Sequence, residues 1–157
     1  MIILDTNLVS EPLKPLPHPG VVHWLNAQEP GTLFITSINL AELLAGVETM
    51  PRGKRRDALS QALASQVSIL FEGRVLHFDT RAANCFAACL AGAQAQGNPV
   101  GFADCAIAAI AKTHGLSVTE STVALATNCT ELIEVSAVKG SEVCTVAGTF
   151  FGKSARI

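Results

Sequence analysis

The chain opens with Met1-Ile2-Ile3-Leu4, an apolar run without alternation that stops at Asp5-Thr6-Asn7. Such a run predicts a strand buried on both faces, as in parallel sheets. Pro12, Pro15, Pro17 and Pro19 follow, a density that no regular helix interior tolerates. Residues 21–27 then predict a short helix, with Val22 and Leu25 on one face and Trp24 beside them. Pro30-Gly31 marks a turn before a second strand over 32–36. Residues 37–47 predict a helix with Leu40, Leu43, Leu44 and Val47 at core spacing, and Asn39 or Ser37 available as the cap. Met50-Pro51-Arg52-Gly53 interrupts the chain. A longer amphipathic helix over 54–70 follows, with Leu59, Ala62, Leu63, Val67 and Leu70 turned inward. A third short strand is expected over 75–78, and Asp79 caps a helix over 80–96 that Gly97 ends. A helix over 103–113 closes at His114-Gly115 and leads to a fourth strand at 116–118.

Strands alternating with helices imply parallel strands joined by crossovers, hence an α/β fold of three layers with a central parallel sheet. The period fades after residue 118. Residues 123–127, 132–135 and 143–146 suggest short strands, but no helical spacing returns. With 157 residues the chain is one domain on size scaling. Residues 1–118 form its core, and 119–157 form a divergent C-terminal part of the same domain.

Composition changes the picture at one point. Charged residues are 15% of the chain, against about 25% in an ordinary soluble domain. So few charges leave apolar area outside, which predicts an oligomer, a partner protein, or both. The net charge of −2 neither demands nor excludes nucleic acid, because a local basic patch suffices. Arg52, Lys54, Arg55 and Arg56 form the dense basic cluster, readable as a solvated helix start or as a contact for phosphates. No apolar run approaches the about 20 residues of a membrane span, and no basic leader precedes the first strand. The five cysteines (Cys85, Cys89, Cys105, Cys129, Cys144) form no CxxC and read as buried thiols of a cytoplasmic protein.

Three acids stand beside core segments. Asp5 closes the first strand, Glu42 lies early in the helix after the second, and Asp104 lies in the first turn of the helix before the fourth. Open parallel sheets bind ligands at the carboxyl ends of their strands, and these helix starts point to that edge. Each acid also has a local reading: Asp5 as a turn acid, Glu42 as a capping-box acid reaching Asn39, Asp104 as a dipole-favoured acid. Gathered together, the carboxylates would repel unless a hard divalent cation joined them. Oxygen donors suit Mg²⁺ or Mn²⁺. The chemistry then expected is metal-assisted hydrolysis of a phosphodiester.

The segment Ile3-Leu4-Asp5-Thr6-Asn7-Leu8-Val9-Ser10-Glu11-Pro12 resembles the opening of PIN-domain toxins of the VapC/FitB type. Thr36-Ser37-Ile38-Asn39-Leu40-Ala41-Glu42-Leu43 is similar to their second motif, and Val75-Leu76-His77-Phe78-Asp79 to the lead into their central helix. Val100-Gly101-Phe102-Ala103-Asp104-Cys105-Ala106-Ile107-Ala108-Ala109-Ile110-Ala111 resembles the third motif. The match runs from residue 1 to about 118. The resemblance implies a PIN-like α/β/α fold and an Mg²⁺- or Mn²⁺-dependent endoribonuclease, the toxin of a type II toxin–antitoxin system. It implies Asp5, Glu42 and Asp104 as the acidic ligands, Asp5 and Asp104 the most direct, with Thr6 as a hydroxyl helper. It also implies an RNA substrate, a homodimer and a small cognate antitoxin.

The family carries a fourth acidic or polar position after the fourth strand, whereas no Asp follows Asp104 here. Glu120 is the nearest substitute. An alignment with an insertion offers Asn128 or Glu131 instead. This departure keeps a catalytically weakened PIN-like binding module open as an alternative, beside a metal-dependent phosphomonoesterase on a similar sheet.

Overall fold

The computed structural model describes residues 1–95, 97 and 100–119. Its centre is a parallel four-stranded sheet in the order β3-β2-β1-β4. The strands are β1 (Ile2–Leu4), β2 (Leu33–Thr36), β3 (Val75–Leu76) and β4 (Ser117–Thr119). In register, Ile3 stands between Phe34 of β2 and Val118 of β4. The opening apolar run is indeed buried on both faces. Ile3 is 0% exposed and packs with Ile107, Ala111 and Leu116, while Leu4, 1% exposed, packs with Leu8, Val9, Leu33 and Ile35 on the other face.

Helices cover both faces. α1 (Thr6–Ser10), α2 (Pro19–Ala27), α3 (Ser37–Glu48) and α4 (Lys54–Phe71) supply the core on the Leu4 side. α6 (Phe102–His114) covers Ile3, and α5 (Thr80–Ala95) packs on α6. Gly115 ends α6 in the left-handed region (φ 64°), the conformation that a glycine adopts without strain.

Three local features differ from the sequence expectation. The segment after β1 is not irregular: Asp5 caps α1, and a 3₁₀ turn over Glu11–Leu13 takes Pro12 where a missing N–H costs nothing. Of the positions expected inward on the long helices, Leu44 of α3 and Ala62 of α4 are exposed, whereas Phe71, one residue past the expected end of α4, is among the largest fully buried side chains. β3 stops at Leu76, and the Phe78 N–H is taken by the Ser37 hydroxyl at 3.2 Å. The expected strands beyond 118, the candidates Glu120, Asn128 and Glu131, and Cys129 and Cys144 lie outside the described residues. Cys89 and Cys105 are buried and Cys85 is half-buried.

The strand order positions the site. The chain moves outward from β1 through β2 to β3, then returns to β4 on the opposite flank of β1. The reversal falls between β1 and β4, where crevices open outside the carboxyl ends of strands. Asp5 is the first residue past the end of β1.

Candidate active site

Asp5 leaves β1 in extended conformation and caps α1: its Oδ1 accepts the Thr6 N–H at 2.7 Å. Its Oδ2 accepts the Asn7 side-chain amide at 3.0 Å. The carboxylate is therefore oriented by the two residues that follow it, as expected of a turn acid. That capping role and a ligand role use the same group.

Thr6 connects this acid to the second one. Its hydroxyl donates to Glu42 Oε2 at 2.7 Å and accepts the Asn39 side-chain amide at 3.0 Å. Glu42 is exposed on α3, whereas Asn39 and Thr36 are 0% exposed beneath it. Thr36, not Ser37 or Asn39, is the N-cap of α3. Its hydroxyl accepts the Asn39 backbone N–H at 3.1 Å, and Asn39 Oδ1 accepts the Thr36 backbone N–H at 3.0 Å, closing a capping box. The capping-box reading of Glu42 is thereby corrected. The box is completed by Asn39, and Glu42 turns to Thr6 instead. The boundary hid this: Thr36 read as the last residue of a strand, although a β-region residue one step before a helix is where a cap sits.

Asp104 comes from the other flank, half-buried in the first turn of α6. The N-cap of α6 is Gly101, which offers no side-chain cap. Asp104 folds back over it, so that a Cβ at Gly101 would lie 2.9 Å from Asp104 Oδ2. A helix start without a cap leaves N–H donors whose partial positive charge favours an acid there. The start of α6 is fixed by an aromatic group that the sequence pattern did not single out. Phe102 stands 5.2 Å from Phe86 and 6.3 Å from Phe78 between ring centroids, with Phe78 and Phe86 edge to face at 5.9 Å. Three phenylalanines spaced 8 and 16 apart across a strand exit and two helices give no periodic signal in sequence.

The donors offered by Asp5, Thr6, Glu42 and Asp104 are hard oxygens, a set that fits Mg²⁺ or Mn²⁺ and would hold softer metals poorly. Among the described residues, no three His, Cys, Asp or Glu side chains stand close enough to form a ready cage. The structure joins the Asp5 and Glu42 sides of the site through Thr6, and it carries Asp104 on α6, which packs against α3.

The remaining candidates have local duties. Asp79 is an exposed cap whose Oδ1 accepts the Ala82 N–H at 2.8 Å, and that bond holds its carboxyl below the ordinary Asp value. In the basic cluster, Arg56 pairs with Glu48 at 2.5 Å, while Arg52, Lys54 and Arg55 are exposed. His18 Nδ1 accepts the Gly20 N–H at 3.2 Å and caps α2.

Residues 2–127 match the profile of the PIN domain. The chain is 42% identical over 118 residues to VapC ribonuclease Y4jK of Sinorhizobium fredii, covering 75% of this chain and 84% of that protein. It is 40% identical over 118 residues to Toxin FitB of Neisseria gonorrhoeae, covering 75% and 85%. Of solved structures, FitAcB from Neisseria gonorrhoeae superposes with a TM-score of 0.73 at 38% identity, covering 80% of this chain and 90% of that one.

Proposed function

The chain belongs to the PIN domain family, and on that premise we propose that it is the toxin of a type II toxin–antitoxin pair, an endoribonuclease dependent on Mg²⁺ or Mn²⁺. The observation that carries the reading is the oriented Asp5 carboxylate at the reversal of strand order, tied through the Thr6 hydroxyl to Glu42. Asp5 and Asp104 would hold the cation most directly, with Glu42 and Thr6 beside them, and Glu120 as the candidate fourth donor. When bound, the ion supplies a water of lowered pKa and offsets the charge that builds on a phosphodiester during hydrolysis. The protein's own share is orientation. The Thr6 N–H and the Asn7 amide fix Asp5, and the Thr6 O–H fixes one oxygen of Glu42. The packed α6 carries Asp104 on a rigid element, which a site of this kind needs.

The partners follow from the surface. Leu16 (91%), Ile69 (75%), Phe102 (64%) and Leu44 (49%) are exposed on a chain with few charges. Apolar exposure of this kind supports a homodimer and an antitoxin that covers part of the molecule. The proposed toxin acts in the cytoplasm, where its RNA substrate lies. No helix among the described residues is long and apolar enough to cross a membrane.

The test is RNA cleavage by the purified chain. Cleavage is expected with Mn²⁺ or Mg²⁺, to stop with EDTA, and to be lost in Asp5→Asn. Expression should arrest growth, and Asp5→Asn should relieve the arrest. Cleavage that persists undiminished in both EDTA and Asp5→Asn overturns the metal reading. Turnover of p-nitrophenyl phosphate with RNA left intact would assign a phosphomonoesterase instead.

A further inference from the structure

We infer that Asn39 is a positioning residue for Glu42, acting through the Thr6 hydroxyl. The inference rests on the reading of Glu42 as part of the metal site. Asn39 is 0% exposed and lies at the third position of α3, three residues before Glu42. Its Oδ1 accepts two bonds from Thr36, one from the backbone N–H at 3.0 Å and one from the hydroxyl at 2.6 Å. Both acceptor sites of that oxygen are thus used, and a flipped amide would set its NH₂ against the Thr36 N–H. The Nδ2 must therefore face away from Thr36, where it meets Thr6 Oγ1 at 3.0 Å. A hydroxyl has one proton. With Asn39 donating to it, the Thr6 oxygen accepts there and its proton is directed to Glu42 Oε2 at 2.7 Å.

The order of control runs from a helix cap to an exposed acid. Thr36 fixes the amide, the amide fixes the hydroxyl, and the hydroxyl holds a long side chain that would otherwise sample several rotamers. A buried amide that only capped α3 would have no need of its NH₂. Donation to Thr6, 33 residues away in sequence, is the feature that capping leaves unexplained. Partners that orient a ligand typically matter by about 10–100-fold in metal affinity.

The test is a double-mutant cycle with Asn39→Ser, Glu42→Ala and the pair, read by calorimetric titration with Mn²⁺ alone and by urea unfolding of the metal-free protein. Serine at this position keeps an acceptor for the cap but cannot reach Thr6. Asn39→Ser is expected to weaken Mn²⁺ binding about tenfold or more, and to weaken it no further once Glu42 is already alanine. An unchanged affinity overturns the inference, and so does an equal loss in the Glu42→Ala background. The unfolding midpoints test the same relay without metal: the two side chains are joined in hydrogen bonds through the Thr6 hydroxyl, so their substitutions must be non-additive if Thr6 relays between them, and additive midpoints refute the relay. Failure of the wild type to bind Mn²⁺ would instead sink the metal-dependent nuclease, with the midpoints still deciding the relay. Thr6→Ser, which retains the hydroxyl, should preserve the coupling.

Discussion

The starts of α3 and α6 both carry an acid proposed for the same site, and they are built in opposite ways. At α3 the cap is supplied by Thr36 and Asn39, both sealed from solvent, so Glu42 has no part in capping and reaches Thr6. At α6 the cap residue is a glycine, and Asp104 lies over it. The start of α5 supplies the contrast, because there Asp79 is consumed by its own helix through the Ala82 N–H. An acid near a helix start is therefore no guide to function by itself. What distinguishes Glu42 is that another pair of residues has taken over the cap.

Removing charge at either flank tests the comparison most severely. Asp5→Asn and Asp104→Asn should each lower RNA cleavage at least about 100-fold, since the cation contributes several kcal/mol and each ~1.4 kcal/mol is a factor of ten. An Asp104→Asn enzyme at wild-type rate would confine the site to the β1–α3 side.

Gly101→Ala probes the uncapped start. The added methyl meets the far end of the Asp104 side chain at 2.9 Å, so the carboxylate must swing aside while the backbone stays. Cleavage should fall about tenfold, and stability should change by less than about 1 kcal/mol. A parallel loss of both would mean that the glycine serves folding.

Thr36→Val acts on the capped start. It should cost about 1–2 kcal/mol in urea unfolding, the worth of a helix cap. Asp79→Ala should have the smallest effect and leave cleavage untouched. The carboxyl of Asp79 is held below the usual 3.8 chiefly by the Ala82 N–H, so its ionised form stabilises the fold. That contribution is complete above the unfolded-state pKa and disappears as pH falls through the lower folded value. The stability gap between Asp79→Ala and wild type should accordingly be open at neutral pH and closed in strong acid.

Much of the fold was legible because parallel-sheet proteins write their core in uninterrupted apolar runs. Ile2-Ile3-Leu4 and the spacing of Leu43 and Val47 needed no tertiary information. The early acids stood out for a related reason, since charge beside a buried strand is conspicuous in a chain so poor in it. What depends on contacts between remote segments stayed hidden. α1 has five residues, too few to display a period, and the prolines that follow it obscured it further. Phe71 continues the spacing of Leu63 and Val67 and was missed only because the helix runs one residue past its expected end. The pairing of Thr6 with Asn39 and Glu42 spans 33 and 36 residues, and no local pattern announces it.

The placement of β1 between β2 and β4 has a consequence for synthesis. β1 is an inner strand made long before its second neighbour, which starts at Ser117, and the Thr119 hydroxyl bonds back to the Ile3 carbonyl across 116 residues. Contacts so distant along the chain form late and slowly. A nascent polypeptide that stops short of β4 thus holds Asp5, Glu42 and the whole Thr36 cap while the crevice beside Asp5 lacks its far wall. On the proposed function, a cell translating this message would meet a complete site only once β4 had left the exit tunnel.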